Sequence, residues 1–229
     1  MFNSANPSTL TNKAEATRNR IVDVALDLFR RHGFERTTMR EIAGKAGVSL
    51  GSAYYYFESK ESLVMAFYER AMDGMAPGIE AALKNATKFD KCLEAILSVK
   101  FTYFQPNRAF LGALFRHAAD PENRLSPFSE ATRQIRERDQ RYFARAIAAS
   151  RDVRVPDDLA EHLPMLLWLY QMGLILFWIY DHSPGQKRTR ALREKSLPLL
   201  VSALKMARFS LLKPLRKKAV DLILVAQGG

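Results

Sequence analysis

Apolar residues between Ala14 and Arg31 fall at Ile21, Val22, Ala25, Leu28 and Phe29, a spacing of i, i+1, i+4, i+7 and i+8 that lines one face of a helix. Charged residues fill the opposite face, and Gly33 ends the pattern. A second helix opens at Thr38-Met39-Arg40-Glu41, a T-x-x-E capping box, and runs through Ile42 and Ala43 to about Lys45. Gly47 then supplies a tight turn, Val48 plugs the angle between helices, and Ser49 caps a short third helix ending near Phe57. Ser59 caps a fourth, with Glu61 in its first turn and Leu63, Phe67 and Met72 recurring along it. Two short helices about a glycine turn predict a helix-turn-helix.

Gly74, Pro77 and Gly78 cluster where a domain boundary is expected. Beyond them no stretch alternates with period two. Helical patterns over 79–87, 89–104, 106–118, 127–150, 157–181, 187–212 and 214–226 are separated by breakers such as Pro106, Pro121, Pro156 and Ser183-Pro184-Gly185. The chain is predicted to be all-α: a flexible tail over 1–13, a helix-turn-helix headpiece over 14–74 and a larger helical body over 75–229.

Composition changes this picture little. With 48% hydrophobic and 26% charged residues among 229, the balance is that of a folded soluble protein. Cys92 is the only cysteine, so no intramolecular disulfide can form; a reducing, cytoplasmic setting and an inert core thiol are expected. The polar start, Met1 to Lys13, lacks the basic-then-apolar order of a signal peptide. Leu163 to Tyr180 carries no charge over 18 residues, close to membrane-spanning length, but Pro164, Gln171 and Gly173 interrupt it; a buried or dimer-interface helix is expected.

The formal net charge of +11 suggests a polyanionic partner. Its distribution weakens that inference. Residues 1–70 hold ten Lys and Arg against eight Asp and Glu, a net of +2, whereas residues 187–218 hold eleven against one, a net of +10. The basic excess lies away from the headpiece and reads as a solvated helix face. Motif and geometry must therefore carry any argument for DNA.

The informative run extends from Thr37 to Glu61. A major groove admits one helix, and base edges are reached from that helix's N-terminal turns, here Leu50, Ser52 and Tyr55. Gly51, Ser52 and Ala53 are small enough for close backbone approach, while Thr38, Tyr54 and Lys60 suit phosphate contacts. Ser49 is first a cap; Ile42, Val48, Tyr56 and Phe57 read as headpiece core.

On these residues the chain resembles the tetracycline-repressor (TetR) family. Ile42-Ala43, Ala46-Gly47-Val48-Ser49, Gly51, Tyr54, Tyr56-Phe57 and Lys60 match the family's headpiece pattern, as do Phe29, Gly33-Phe34 and Thr37-Thr38 before them. The resemblance covers residues 14–74 and implies DNA contacts from Thr37, Thr38, Ser49, Leu50, Gly51, Ser52, Tyr54, Tyr55 and Lys60. Leu50 stands where relatives often carry Lys, Arg or a small residue, which points to apolar contact with a thymine methyl, and Tyr55 stands where they often carry His or Arg. The operator of a relative is therefore not transferable.

The resemblance further implies a body that dimerises and usually encloses a small-molecule pocket, whose occupancy releases DNA. The helices over 157–181 and 187–212, with apolar stripes including Leu166, Leu169, Leu197, Leu200, Val201, Leu204 and Leu211, would pair with a second copy as a four-helix bundle. Aromatic density in the body makes Phe104, Phe115, Trp168, Tyr170 and Phe177 candidates for lining a pocket, with Arg116 and His117 orienting an anionic group.

Two other readings compete. His32, His117, His162 and His182 show no metal-ligand spacing, and no phosphate loop or nucleophile elbow is present, so an enzyme or carrier is disfavoured and no cofactor is expected. A constitutive, ligand-independent DNA-binding protein is the nearer alternative to a repressor that a small-molecule effector relieves from a near-palindromic operator.

Overall fold

The computed structural model describes residues 7–117 and 123–226, with side chains over 12–115 and 123–225. Among the described residues there is no strand. The helices are α1 (Pro7–His32), α2 (Met39–Ala46), α3 (Leu50–Tyr56), α4 (Lys60–Asn85), α5 (Phe89–Phe104), α6 (Arg108–His117), α7 (Arg133–Ala149), α8 (Asp157–Ala160), α9 (Leu163–Tyr180), α10 (Lys187–Ala207) and α11 (Lys213–Ala226). They form two compact units, one comprising residues up to Arg70 with Asn107–Thr132, the other Ala71–Pro106 with the residues from Arg133 onward.

Three features depart from the sequence pattern. First, α1 starts at Pro7, so residues 7–13 are helical and not tail. Proline at a first helical position lacks only an amide that would be unbonded there anyway. No glycine interrupts the run that follows as far as Gly33.

Second, α4 passes through the expected break, with Pro77 inside it. Gly74 and Gly78 act there as points of close packing. A Cβ at Gly74 would meet the Tyr103 ring at 2.7 Å, and one at Gly78 would meet Val99 at 3.2 Å, both on α5.

Third, a single cut at residue 74 misses the segment 107–132, which belongs to the N-terminal unit. Phe110 of α6 stacks on Phe29 with centroids 5.3 Å apart and meets Phe67 edge-on at 5.7 Å. Asn107 Oδ1 accepts a hydrogen bond from Arg30 of α1 at 3.4 Å. The pattern along α6 announces a helix; which unit it joins depends on partners some 80 residues earlier.

The N-terminal core is built from Ile21, Val22, Leu28 and Phe29 of α1, Ile42 and Ala43 of α2, and Phe57. Each fully buried large apolar side chain contributes about 1.5–3 kcal/mol.

The second unit packs α5, α7, α9 and α10 around Phe89, Cys92, Ile96, Phe143, Leu167 and Leu197. The Cys92 thiol is buried against the Ala86 carbonyl, and that burial raises its pKa. Helix α9 is long and apolar enough to cross a membrane, yet it buries Leu167, Trp168 and Leu174 in this core, and Gln171 is buried as well.

Gln171 belongs to a buried polar cluster. Lys100 of α5, only 1% exposed, donates to Asp139 of α7 and to the Gln171 side-chain carbonyl, while the Gln171 amide donates to Asp139 Oδ2 at 2.7 Å. The ammonium also lies 5.0 Å from the Phe143 ring centroid. Burial lowers the Lys100 pKa, opposed by the adjacent Asp139 charge. Such a cluster is tolerated in a core because each charge has a partner.

Candidate nucleic-acid interface

Short-range hydrogen bonds fix the α2–α3 pair. Thr38, in an extended conformation, caps α2: its hydroxyl accepts from the Glu41 amide at 3.2 Å, and Glu41 Oε2 accepts from the Thr38 amide at 2.9 Å. The Thr38 amide foremost, and the Thr38 hydroxyl, which donates to Oε2 at 3.0 Å, hold the Glu41 carboxyl below its ordinary pKa. At the other end Gly47 adopts φ 65°, a left-handed conformation that suits glycine, and the Val48 amide returns to the Ala43 carbonyl at 3.0 Å. Ser49 caps α3 by accepting from the Ser52 amide at 3.0 Å. Ala53 and Phe57 are buried beneath α3.

This framework leaves an outward face on α3. Tyr54 is 49% exposed and Tyr55 84%, with Gly51 exposed and Leu50 and Ser52 half-buried beside them. The Tyr55 ring meets Tyr56 edge-on at 5.3 Å, which braces it without covering it. Thr38, Arg40, Lys45 and Ser49 are exposed or half-buried at the neighbouring ends of α2 and α3.

Two residues of the expected contact set do other work. Thr37 is 1% exposed, and its hydroxyl donates to the Gly33 carbonyl at 2.8 Å. Lys60 donates to the Phe34 and Glu35 carbonyls at 2.8 and 3.2 Å, with its ammonium 4.6 Å from the Phe34 ring centroid. Both close the connection between α1 and α2. A lysine within a matched motif looks like a phosphate ligand in sequence; the two carbonyls it satisfies lie 25 and 26 residues upstream.

The residues expected to line a common pocket fall in both units. Phe115 belongs to the N-terminal unit, whereas Phe104, Trp168, Tyr170 and Phe177 belong to the second. The side chains of Arg116 and His117 lie outside the described residues. Trp168 is buried in the core, and the Tyr170 hydroxyl is 2.6 Å from Ser196 Oγ. Phe177 lines a groove of about 480 Å³ in the second unit, shared with Leu192 and Leu199.

Part of the basic excess over 187–218 is committed within the second unit. Arg193 pairs with Glu94 at 2.6 Å, Lys205 with Asp152 at 2.9 Å and Arg216 with Asp158 at 3.1 Å. Sequence reasoning also missed the Lys100 cluster. Its one local signal is a lysine within an otherwise largely apolar stretch, Ile96 to Phe101.

A capped helix-turn-helix on a helical body defines a class of DNA-binding regulator folds. Residues 21–67 match the bacterial regulatory proteins of the tetR family, and residues 92–222 match the tetracyclin repressor-like C-terminal domain. The chain belongs to the TetR family. Among its relatives, the HTH-type transcriptional repressor KstR2 of Rhodococcus jostii is 30% identical over 95 residues, 42% of this chain and 47% of that protein. The HTH-type transcriptional regulator TtgR of Pseudomonas putida is 27% identical over 178 residues, 73% of this chain and 82% of that one. The alignment with the repressor thus spans about half of that relative's length. The regulator FadR of Bacillus subtilis, solved in complex with stearoyl-CoA, shares the fold with a TM-score of 0.62 at 18% identity, over 80% of this chain and 97% of that one.

Proposed function

We propose that the protein is a cytoplasmic, homodimeric transcriptional regulator, acting as a repressor, that reads a near-palindromic DNA site with α3 and releases it when a small molecule binds the helical body. The observation that carries this reading is the α3 face. Tyr54 and Tyr55 are large, exposed and rigidly mounted, and their hydroxyls are available to phosphate or base edges. With Thr37 and Lys60 committed elsewhere, the proposed contact set is Thr38, Ser49, Leu50, Gly51, Ser52, Tyr54 and Tyr55, with Arg40 and Lys45 as exposed cations beside it.

The second unit supports pairing of two copies. Leu192, Leu199 and Met206 recur every seven residues along α10 and are exposed, Leu199 by 72%. Leu169, Leu176 and Tyr180 of α9 are exposed as well. An apolar stripe of this kind on each of two long helices suits a four-helix bundle formed with a second copy, which would supply the two-fold arrangement a palindrome requires. The ligand held by the FadR relative favours an effector-responsive reading over a ligand-independent one.

The test is selection of genomic DNA fragments by purified full-length protein, followed by salt titration of binding to the best fragment with wild type and Tyr54→Ala. A near-palindrome bound at least about tenfold more weakly by the variant is expected. Retention of fragments without sequence preference, equal in both proteins, would sink the reading.

A further inference from the structure

A cleft of about 520 Å³ opens in the second unit, walled by the C-terminal end of α5, the end of α9 and the turn into α10. That volume suits a small organic ligand. Phe101 and Trp178 give it an aromatic wall, their rings edge to face at 5.3 Å. Arg190 and Arg193 give it charge.

The two arginines are in different states. Arg193 Nη2 donates to Glu94 at 2.6 Å and to Ser98 Oγ at 3.2 Å, and its guanidinium lies 5.4 Å from the Phe101 ring centroid. Its Nε is buried and has no acceptor, an uncommon condition for a planar donor fork that ordinarily satisfies each N–H. Arg190, three residues earlier, is exposed and makes no ion pair among the described residues. With Glu94 offsetting Arg193, the cleft keeps one uncompensated positive charge.

The backbone at the cleft is strained. Gly185 has φ 57°, and Gln186, with φ 52°, is the only non-glycine with positive φ among the described residues. Such conformations persist where surroundings hold them, often beside ligands. The Gln186 side chain is fixed by the amide of Gln105, which donates to it at 3.3 Å from another wall. The first-turn amides of α10 do not supply the anion affinity: Arg188 N is bonded to Ser183 Oγ at 3.1 Å and Thr189 N to Asp181 Oδ2 at 2.8 Å.

We infer that this cleft binds a small aromatic organic anion, a carboxylate or sulfonate. The flat apolar body lies against Phe101 and Trp178, and the anionic group takes the exposed Arg190 guanidinium beside Arg193. The assignment gives a chemical class to the effector of the regulator proposed above and rests on that reading only for its consequence on DNA, not for binding itself.

The experiment is fluorescence titration of full-length protein with 1-anilinonaphthalene-8-sulfonate, alongside its uncharged counterpart N-phenyl-1-naphthylamine. Saturable binding of both is expected in wild type. Arg190→Gln, a change at an exposed residue, should weaken the sulfonate about tenfold while shifting the neutral probe by less than about twofold. Thr102→Trp, which fills the cleft from an exposed wall position, should abolish both.

Circular dichroism of each variant establishes that it is folded. Wild-type affinity for the sulfonate in folded Arg190→Gln and Thr102→Trp, or no saturable binding in wild type, overturns the site. Equal weakening of both probes by Arg190→Gln overturns the anionic class. If binding follows the expected pattern while selected DNA shows no sequence preference, the cleft stands and the regulator reading falls.

Discussion

The α2–α3 pair and the interior of the second unit use polar side chains in opposite ways. In the first, Thr38, Glu41 and Ser49 bond to groups three residues away, and the surface outside those bonds is left free. In the second, Lys100 reaches Asp139 across 39 positions and Gln171 across 71, and the cluster is buried. Local bonds build a platform that presents side chains outward, while distant bonds lock helices together. Substitutions in the two regions should therefore be felt in different observables, DNA contact in one and global stability in the other.

The sharpest break of this comparison lies at Lys100. Lys100→Met leaves Asp139 buried with only the Gln171 amide, and loss of one partner of a buried pair costs about 3–5 kcal/mol. Urea denaturation should read that loss. Lys100→Met with Asp139→Asn should be more stable than the single variant, because an Asn–Gln amide pair carries no buried charge. A double variant as unstable as Lys100→Met would mean that packing of the lysine stem, not charge pairing, holds this region.

The next effect belongs to Asp181, whose carboxylate accepts from the Ser183 and Thr189 amides at 2.9 and 2.8 Å and from both hydroxyls. Desolvation opposes ionisation, but those four donors prevail and the net pKa falls well below the usual carboxylate range. Because the folded-state pKa lies below the unfolded value of about 3.9, this stabilisation is fully present above that pH and fades as pH drops beneath it. Asp181→Asn should therefore melt at a lower temperature than wild type at pH 7, with the gap narrowing as pH falls below about 4. A gap constant with pH would show that ionisation of Asp181 does not matter to the fold.

The same contrast explains what could be read from the chain. The capping box at Thr38, the turn at Gly47 and the cap at Ser49 depend on spacings of three or four residues, and the structure has each of them. Periodicity likewise locates the buried face of α1. On α10 it picks out Leu197, Val201 and Leu204, expected to meet a second copy, but they pack into the unit's own core, and the uninterrupted apolar run of α9 singles out no face. Features set by distant partners were not legible: the placement of α6 through Phe110, the passage of α4 through Gly74 and Gly78, the commitment of Lys60, and the Lys100 cluster. Gly74 shows the limit well. A glycine close to a proline reads as a break, and only the Tyr103 ring against it reveals a packing site.

Gly47→Ala sharpens the local side of the comparison. No atom lies within 4 Å of the added Cβ, so the effect is the left-handed backbone alone, about 1–2 kcal/mol. Thermal unfolding should register it, with the turn between α2 and α3 loosened. An unchanged melting temperature would mean that the α2–α3 turn adapts without strain, and that its geometry is less fixed than φ 65° implies.

The smallest effect separates structure from DNA contact within one motif. Lys60 satisfies two carbonyls, whereas Arg40 and Lys45 are exposed on α2. Lys60→Met should lower stability by about 1 kcal/mol, as loss of ordinary hydrogen bonds does, and leave the dependence of DNA affinity on salt unchanged. Arg40→Gln and Lys45→Gln should do the reverse, each reducing the slope of log affinity against log salt by about one if it neutralises a phosphate. A slope lowered by Lys60→Met and untouched by the other two would assign the phosphate contact to Lys60 after all. It would then follow that its ammonium leaves the Phe34 and Glu35 carbonyls when DNA arrives, and that the division between locally committed and outward-facing polar groups holds only in the unbound protein.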